Sequence, residues 1–208
     1  MKLYERSVME FCNDVAADIP VPGGGSVAAL NAALGASLIQ MVGNMTARKA
    51  VKNEVEIDYE VSNAIIKCKN AQEELIELIE KDSAAFNKVM AAMKLPKTNS
   101  DEKLIRSAAI QESYKTAVMP PLTVAMMAYD LIDCGAVMFF KGDKNALSDA
   151  CVGIRCLNTA FWSGIYNVKI NLSAIKDEDF VQSIKTKIYE MENDVDQKCM
   201  SIIGDVKF

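Results

Sequence analysis

The amino-acid sequence predicts an all-α protein, a single-domain bundle of long antiparallel helices over residues 1–208. Apolar residues recur at intervals of three and four along most of the chain, which is the spacing of one helix face. Proline, glycine and capping residues separate these stretches. One stretch, between Asp18 and Arg48, has no charge and is rich in alanine and glycine, as expected of a helix packed among others.

The first helix is predicted from about Leu3 to Asp18. Its apolar side consists of Val8, Phe11, Cys12 and Val15. Pro20 should end this helix, because proline lacks a backbone N–H. The three glycines that follow, Gly23, Gly24 and Gly25, allow the chain to turn through conformations that a Cβ forbids.

The second helix is predicted to begin with Ser26 as its N-cap and to run to about Lys49. By residue type alone, a tight turn into a buried helix is favoured over a ligand-binding turn. The length of the segment from Ile19 to Ala47 also resembles a membrane span. Its polar residues Asn31, Gln40 and Asn44 favour a buried helix of a soluble protein instead.

Two further long helices are predicted from the capping residues and prolines at their ends. Asn53 is a plausible N-cap for a third helix that reaches Lys94, which Pro96 closes. A fourth helix begins in the polar segment 98–101. The pair Pro120-Pro121 is predicted to kink or break it before it resumes to about Asp133.

The last third of the chain predicts two more helices. A loop at Asp143–Asn145 precedes the fifth helix, which should end near Tyr166. The segment Asn167–Leu172 is predicted to be an extended connector. The final helix should run from about Asp177 to Ile203, and Gly204 can terminate it.

Composition excludes several classes of function. A net charge of −5 argues against nucleic acid or an anionic membrane as the main partner. There is no histidine, which removes the usual general base and the commonest metal ligand. The six cysteines are scattered, so reduced thiols in a cytoplasmic protein are expected rather than disulfides or a zinc site. The charged start, Met1–Arg6, is unlike a signal peptide.

The third helix contains the sharpest chemical signal, a single carboxylate on an apolar face. Asp82 shares that face with Leu75, Ile79, Phe86, Met90 and Met93. Burial raises the pKa of a carboxyl group, and a raised pKa is what a general acid or base near pH 7 requires when histidine is absent. The alternative is a salt bridge to a neighbouring helix or a position at the rim of the fold.

A second candidate site lies at the start of the fifth helix. Asn145, Ser148 and Asp149 place an amide, a hydroxyl and a carboxylate near free helix-end amides, which suits a polar heterocycle or a small anion. An ordinary capping cluster is the favoured alternative. The glycine turn could also hold an anion, but it lacks the Gly-Lys-Ser/Thr of a phosphate-binding loop.

Several segments together resemble the cyclodeaminase/cyclohydrolase family. This family contains the C-terminal domain of formimidoyltransferase-cyclodeaminase and free-standing methenyltetrahydrofolate cyclohydrolases. The most specific segment is Pro22–Ala29, a glycine turn that leads into a small-residue helix. Weaker matches follow in order through nearly the whole chain: Asp82–Phe86, Leu95–Lys97, Leu147–Asp149 and Asn167–Leu172. One departure is Asp143, where the family more often has asparagine.

The resemblance implies an all-helical homodimer that binds a tetrahydrofolate derivative as substrate in a cleft near the subunit interface, with no permanently bound cofactor or metal. It places the catalytic aspartate at Asp82, and Asp149 is a natural second carboxylate. Gly23, Gly24, Gly25 and Ser26 become a wall of the cleft, with Asn145 and Ser148 as further binding residues. On charge alone, Lys97, Arg48 and Arg155 are candidates for the glutamate tail of the folate.

The resemblance implies one of two reactions. The favoured one is hydrolysis of 5,10-methenyltetrahydrofolate to 10-formyltetrahydrofolate. The alternative is cyclisation of formimidoyltetrahydrofolate with release of ammonia, for which a separate formimidoyltransferase is a candidate partner. A helical binding or scaffold protein without activity is the alternative from another class.

Overall fold

A computed structural model describes residues 1–204 and 206, and it contains helices and no strand over those residues. Six α-helices follow one another: α1 (Val8–Ala16), α2 (Gly24–Lys52), α3 (Tyr59–Met93), α4 (Ser100–Lys141), α5 (Leu147–Leu172) and α6 (Glu178–Ile203). Short 3-10 turns cover Leu3–Glu5 and Lys144–Ala146. The all-α prediction is confirmed.

Helices α2 to α5 form the core, and consecutive helices run antiparallel. Position 25 at the start of α2 faces Asp82 late in α3, whereas Gly43 faces Ile65 early in α3. Gly35 of α2 and Gly153 of α5 allow the two helices to approach closely, because a Cβ on Gly35 would lie 2.9 Å from the carbonyl oxygen of Gly153. The small residues of α2 therefore pack helix against helix, as the sequence predicts.

The first predicted helix is in fact two short elements. Ser7 caps α1 in a capping box with Glu10, whose carboxylate accepts from the Ser7 backbone N–H at 2.8 Å. The prediction of one helix from Leu3 to Asp18 was therefore wrong. Of its proposed apolar side only Phe11 is buried, and Val8 is 83% exposed.

Two predicted caps were also wrong. Helix α2 begins at Gly24 with Gly23 as its cap, so Ser26 lies inside the first turn and is fully buried. Asn53 ends α2 instead of starting α3. Asp58 caps α3, and its carboxylate accepts from the Glu60 backbone N–H at 2.8 Å.

The proline pair does not break α4, which contradicts the prediction. Pro121 has no N–H to donate to the carbonyl of Ala117, one helical turn earlier. The side-chain amide of Asn171 donates to that carbonyl at 3.0 Å instead, so the carbonyl stays satisfied and the helix continues. The donor comes from the segment 167–172, which is the last turn and a half of α5 and not an extended connector.

Helices α2 and α4 are long and apolar enough to cross a membrane by length and composition. In the most apolar window of each, 56% and 50% of the residues are buried inside the fold. The core helices of soluble proteins meet the same criterion, so this feature is weak evidence for a membrane span.

Candidate functional site

A cavity of about 280 Å³ opens where the start of α2 meets α3, α4 and the end of α5. The glycine turn forms one wall, and Asp82 and Phe86 of α3 form the next. Tyr114 of α4 and the α5 residues Asn167 and Asn171 complete it. The structure thus brings Gly23, Gly24, Gly25 and Asp82 to one place.

The apolar face of α3 becomes less buried towards the end of the helix, and Asp82 lies where this change begins. Leu75 and Ile79 are buried in the core, while Phe86 is partly buried and lines the cavity with Asp82. Met93, near the end of the helix, is exposed. Asp82 therefore stands where a buried seam opens into a cavity, and neither a salt bridge nor full exposure accounts for it.

The carboxyl group of Asp82 lies over the first turn of α2. A Cβ at position 25 would overlap the carboxyl group, so only glycine leaves room for it. The hydroxyl of Ser26 lies 3.3 Å from Oδ2 of Asp82, and the Ser26 backbone N–H also donates to the carboxylate. Burial raises the pKa of Asp82, and the two Ser26 hydrogen bonds offset part of that rise.

Ser26 and Ser83 form a buried hydroxyl pair behind Asp82. Their oxygens are 3.0 Å apart, and the Ser26 hydroxyl also reaches the carbonyl oxygen of Ile79 at 2.8 Å. The single hydroxyl proton of Ser26 can go either to that carbonyl or to the Asp82 carboxylate. This pair holds the carboxylate in position from the core side.

Sequence reasoning missed the functional potential of Asn167 and Asn171. They are four residues apart on α5, so both face the cavity. The side-chain NH₂ of Asn167 donates to the carbonyl oxygen of Ser163 at 2.8 Å, and the side-chain NH₂ of Asn171 donates to the carbonyl oxygen of Ala117. A helical interpretation of this segment would have placed both on one face.

The cavity carries acceptors and little positive charge. Among the described residues that line it, Asp82 is the one acidic group and there is no lysine or arginine. No set of three or more metal-ligating His, Cys, Asp or Glu side chains occurs over the described part of the chain. The arrangement suits a neutral or cationic heterocycle whose chemistry requires one carboxyl group.

Asn145, Ser148 and Asp149 lie elsewhere within the protomer. They mark the start of α5, and Asp149 is about 27 Å along that helix from Asn167 at 1.5 Å per residue. They can therefore join the Asp82 cavity only from a second subunit. Their role as site residues stays a prediction.

Asp143, the departure from the family pattern, has a structural role. Its carboxylate accepts from the Asn145 backbone N–H at 3.1 Å and pairs with Lys49 at 3.0 Å. These contacts lower its pKa, the Asn145 bond most. Asp143 therefore caps the turn that leads into α5.

The cationic candidates are spread over the molecule. Lys97 lies in the exposed loop after α3, at the same end of the bundle as the cavity. Arg48 is exposed near the far end of α2, and Arg155 faces α6, where its guanidinium lies 3.9 Å from the sulfur of Met200. Only Lys97 is placed to reach a long ligand that leaves this cavity.

Comparison with known proteins places this chain in a family. Residues 7–190 match the family described as formiminotransferase-cyclodeaminase. The chain belongs to this family. A methenyltetrahydrofolate cyclohydrolase from Methylorubrum extorquens is 34% identical over 177 residues, which cover 85% of this chain and 84% of that protein.

Two other relatives carry the cyclodeaminase name. The formimidoyltransferase-cyclodeaminase of Gallus gallus is 38% identical over 178 residues, but the match spans only 32% of its length. The crystal structure of a formiminotetrahydrofolate cyclodeaminase from Thermotoga maritima superimposes with a TM-score of 0.83 at 28% identity and covers 98% of both chains. This chain therefore has the fold of that relative over nearly its whole length.

Proposed function

We propose that this chain is a folate one-carbon enzyme, a 5,10-methenyltetrahydrofolate cyclohydrolase that uses Asp82 as its acid/base. The observation that carries the proposal is the position of Asp82, a partly buried carboxyl group in a cavity without lysine or arginine among its described lining residues. The Methylorubrum extorquens relative, which is similar over most of both chains, bears the cyclohydrolase name.

The charge of the cavity matches that of the substrate. The methenyl bridge of 5,10-methenyltetrahydrofolate is a cationic amidinium, and a carboxylate beside it lowers the free energy of the bound cation. The aromatic side chains of Phe86 and Tyr114 line the cavity and offer apolar surface to the pteridine ring of the substrate. At about 280 Å³, the cavity is near the low end for ligand pockets, so it suits the reacting ring rather than the whole folate.

Asp82 can move the proton that hydrolysis requires. The Asp82 carboxylate accepts a proton from water as the water oxygen attacks the methenyl carbon, and a neutral carbinol results. The carbon–N5 bond then breaks, the carbinol O–H loses its proton as the formyl C=O forms, and Asp82 returns a proton to N5. One proton is released overall.

The cyclodeaminase reaction is a second candidate, favoured by the Thermotoga maritima structure. In this reaction N10 attacks the formimino carbon, and the proton of N10 moves to the former imino nitrogen. A second proton then reaches that nitrogen, the carbon–nitrogen bond breaks as ammonia leaves, and the methenyl cation remains. The protonated form of Asp82 donates to that nitrogen. Burial supports this role too, because it raises the pKa of Asp82 and so favours the acid form. A formimidoyltransferase would then supply the substrate.

A homodimer is part of the proposal. Leu34 of α2 and Val152, Tyr166 and Ile170 of α5 are each more than half exposed, which is apolar surface that a second copy can cover. A second subunit would also provide the only route by which Asp149 can approach Asp82. We place the enzyme in the cytoplasm, where reduced folates and free thiols coexist.

The absorbance of 5,10-methenyltetrahydrofolate decides between the reactions. Purified protein should accelerate its decay if the chain is a cyclohydrolase, and should produce it from 5-formimidoyltetrahydrofolate if the chain is a cyclodeaminase. A non-catalytic helical scaffold changes neither absorbance. Turnover of neither substrate contradicts the proposal.

A further inference from the structure

We propose that the side-chain carbonyl oxygens of Asn167 and Asn171 determine substrate specificity by accepting hydrogen bonds from N–H groups of the bound ring. This inference rests on the proposed function and names the group that orients the substrate against Asp82. The observation behind it is that the protein itself fixes which end of each amide faces the cavity.

The orientation of Asn171 is set by a carbonyl that has lost its helical donor. Pro121 cannot donate to the Ala117 carbonyl, so this oxygen needs another partner. A carbonyl oxygen only accepts, and therefore the NH₂ end of Asn171 must face it, as the 3.0 Å contact shows. The Oδ1 end of Asn171 is then turned away from Ala117.

The side-chain amide of Asn167, one helical turn earlier, has its NH₂ end fixed in the same way. Its NH₂ group donates to the carbonyl oxygen of Ser163 at 2.8 Å, and it also lies beside Gly24, where an added Cβ would be 3.0 Å from Nδ2. Neither Asn167 Oδ1 nor Asn171 Oδ1 accepts a hydrogen bond from the residues that the structure describes, and both side chains line the cavity. The two acceptors are about 6 Å apart along the helix.

Two hydrogen-bond acceptors in fixed positions favour ligands that present hydrogen-bond donors to them. Tetrahydrofolate carries N–H groups at N5 and N8 and an amino group at C2, and the N8 and C2 donors remain when N5 bears the one-carbon unit. A ligand that presents carbonyl oxygens to this wall instead leaves four acceptor lone pairs unpaired. Such mismatches reject a ligand more strongly than a missing apolar contact does. The pair therefore favours ligands with N–H donors on one edge, and the carboxyl group of Asp82 faces the same space.

The test is a binding cycle between protein and ligand. Dissociation constants are measured calorimetrically for tetrahydrofolate and for its 5-deaza, 8-deaza and 2-desamino analogues, each of which lacks one donor. Wild-type protein should bind at least one analogue roughly three- to ten-fold more weakly than tetrahydrofolate, the effect of one hydrogen bond. Asn167→Ala or Asn171→Ala should abolish that preference by weakening only the parent ligand.

Controls separate recognition from structure. Asn70→Ala, at an exposed position of α3 outside the cavity, should keep the preference intact. Asn171→Ala also removes the partner of Ala117, so Asn167→Ala is the second variant, because the Ser163 carbonyl retains its helical partner. Circular dichroism confirms that each variant is folded.

The outcomes are distinguishable from those for the proposed function. If both variants weaken all four ligands by the same factor, or if wild-type protein binds all four equally, the acceptor pair does not select the ring. Wild-type protein that turns over a folate substrate in the same preparation keeps the proposed function intact in that case. Wild-type protein that neither binds nor turns over folate overturns both.

Discussion

The carboxyl group of Asp82 occupies the space in which a side chain at position 25 would lie. A Cβ built on Gly25 overlaps the carboxyl atoms, and the backbone N–H and the hydroxyl of the neighbouring Ser26 both lie within hydrogen-bonding reach of the same group. The glycine turn and the isolated aspartate of α3 are therefore one structural unit. The turn requires glycine at position 25 because the Asp82 carboxyl group packs directly against its backbone.

Gly25→Ala should displace Asp82 and abolish most activity. The added methyl group meets the carboxyl group, and the backbone of α2 cannot retreat because Ala28 and Ala29 are fully buried behind it. We expect kcat to fall at least ten-fold, as losing a positioned acid/base does.

Gly24→Ala is the matched control for this substitution. Its Cβ would lie 3.0 Å from the Asn167 amide, the end of a side chain that can shift slightly. Substrate binding should weaken while kcat changes less than in Gly25→Ala. Equal kcat values for the two variants would mean that Gly25 does not position Asp82.

Ser26→Ala should move the acid limb of the pH–rate profile to higher pH. Both Ser26 hydrogen bonds lower the pKa of Asp82 against the effect of burial, and the substitution removes the hydroxyl bond. The cyclohydrolase reaction needs the ionised carboxylate, so activity is lost as pH falls through that pKa, and the loss should begin earlier in the variant. The measurement is kcat/KM against pH.

Ser83→Ala serves as the control, because its hydroxyl contacts Ser26 at 3.0 Å and is not among the groups that shift the pKa of Asp82. It should shift the acid limb less than Ser26→Ala does. An unmoved limb in Ser26→Ala would show that the hydroxyl does not stabilise the carboxylate.

Asp82→Asn should make the protein more stable at neutral pH. Because burial raises the folded-state pKa of Asp82 above its ordinary value of 3.8, the folded protein binds this proton more tightly than the unfolded chain does. The contribution of Asp82 to stability therefore falls as pH rises from about 3.8 through the raised pKa. The Tm difference between variant and wild type should grow over that window and then level off.

A Tm difference that is constant with pH would contradict the upward shift. Asp130→Asn is a suitable control, since Asp130 is exposed on α4 and lies outside the cavity. Substitution of this exposed carboxyl group should change the pH dependence of Tm less than Asp82→Asn does.

Mixed dimers test whether Asp149 acts from a second subunit. Asp82→Asn and Asp149→Asn should each be inactive alone, because each disables both sites of a homodimer. Refolding the two together at equal amounts should restore about a quarter of wild-type activity, since half of the dimers are mixed and each mixed dimer has one intact site. No recovery, or full activity of Asp149→Asn alone, would exclude the shared site.

The sequence was informative wherever a single local pattern determined the outcome. The all-α class followed from helical periodicity, and Asp82 stood out as the one charge on an apolar face. Ser26 was misplaced because a serine after glycines is equally suited to a cap and to a buried first turn. Only tertiary packing, with Asp82 and Ser83 opposite Ser26, decides between these positions.

Other errors came from contacts between segments distant in the sequence. Pro121 is tolerated because Asn171, fifty residues later, satisfies the carbonyl that Pro121 leaves free. The polar and apolar alternation of Asn167–Leu172 suggested an extended segment, but packing on α2 and α4 keeps it helical. The same error concealed the two asparagines of the cavity.

The turnover of Asp82→Asn tests the central claim most directly. The variant retains the shape of the side chain and loses its proton chemistry, and 5,10-methenyltetrahydrofolate absorbance reports the rate with either substrate. We predict that kcat falls by about 10²–10⁴, the usual contribution of a general acid/base, while the variant remains folded. A kcat within a few-fold of wild type would contradict the assignment of Asp82 as the catalytic carboxyl group.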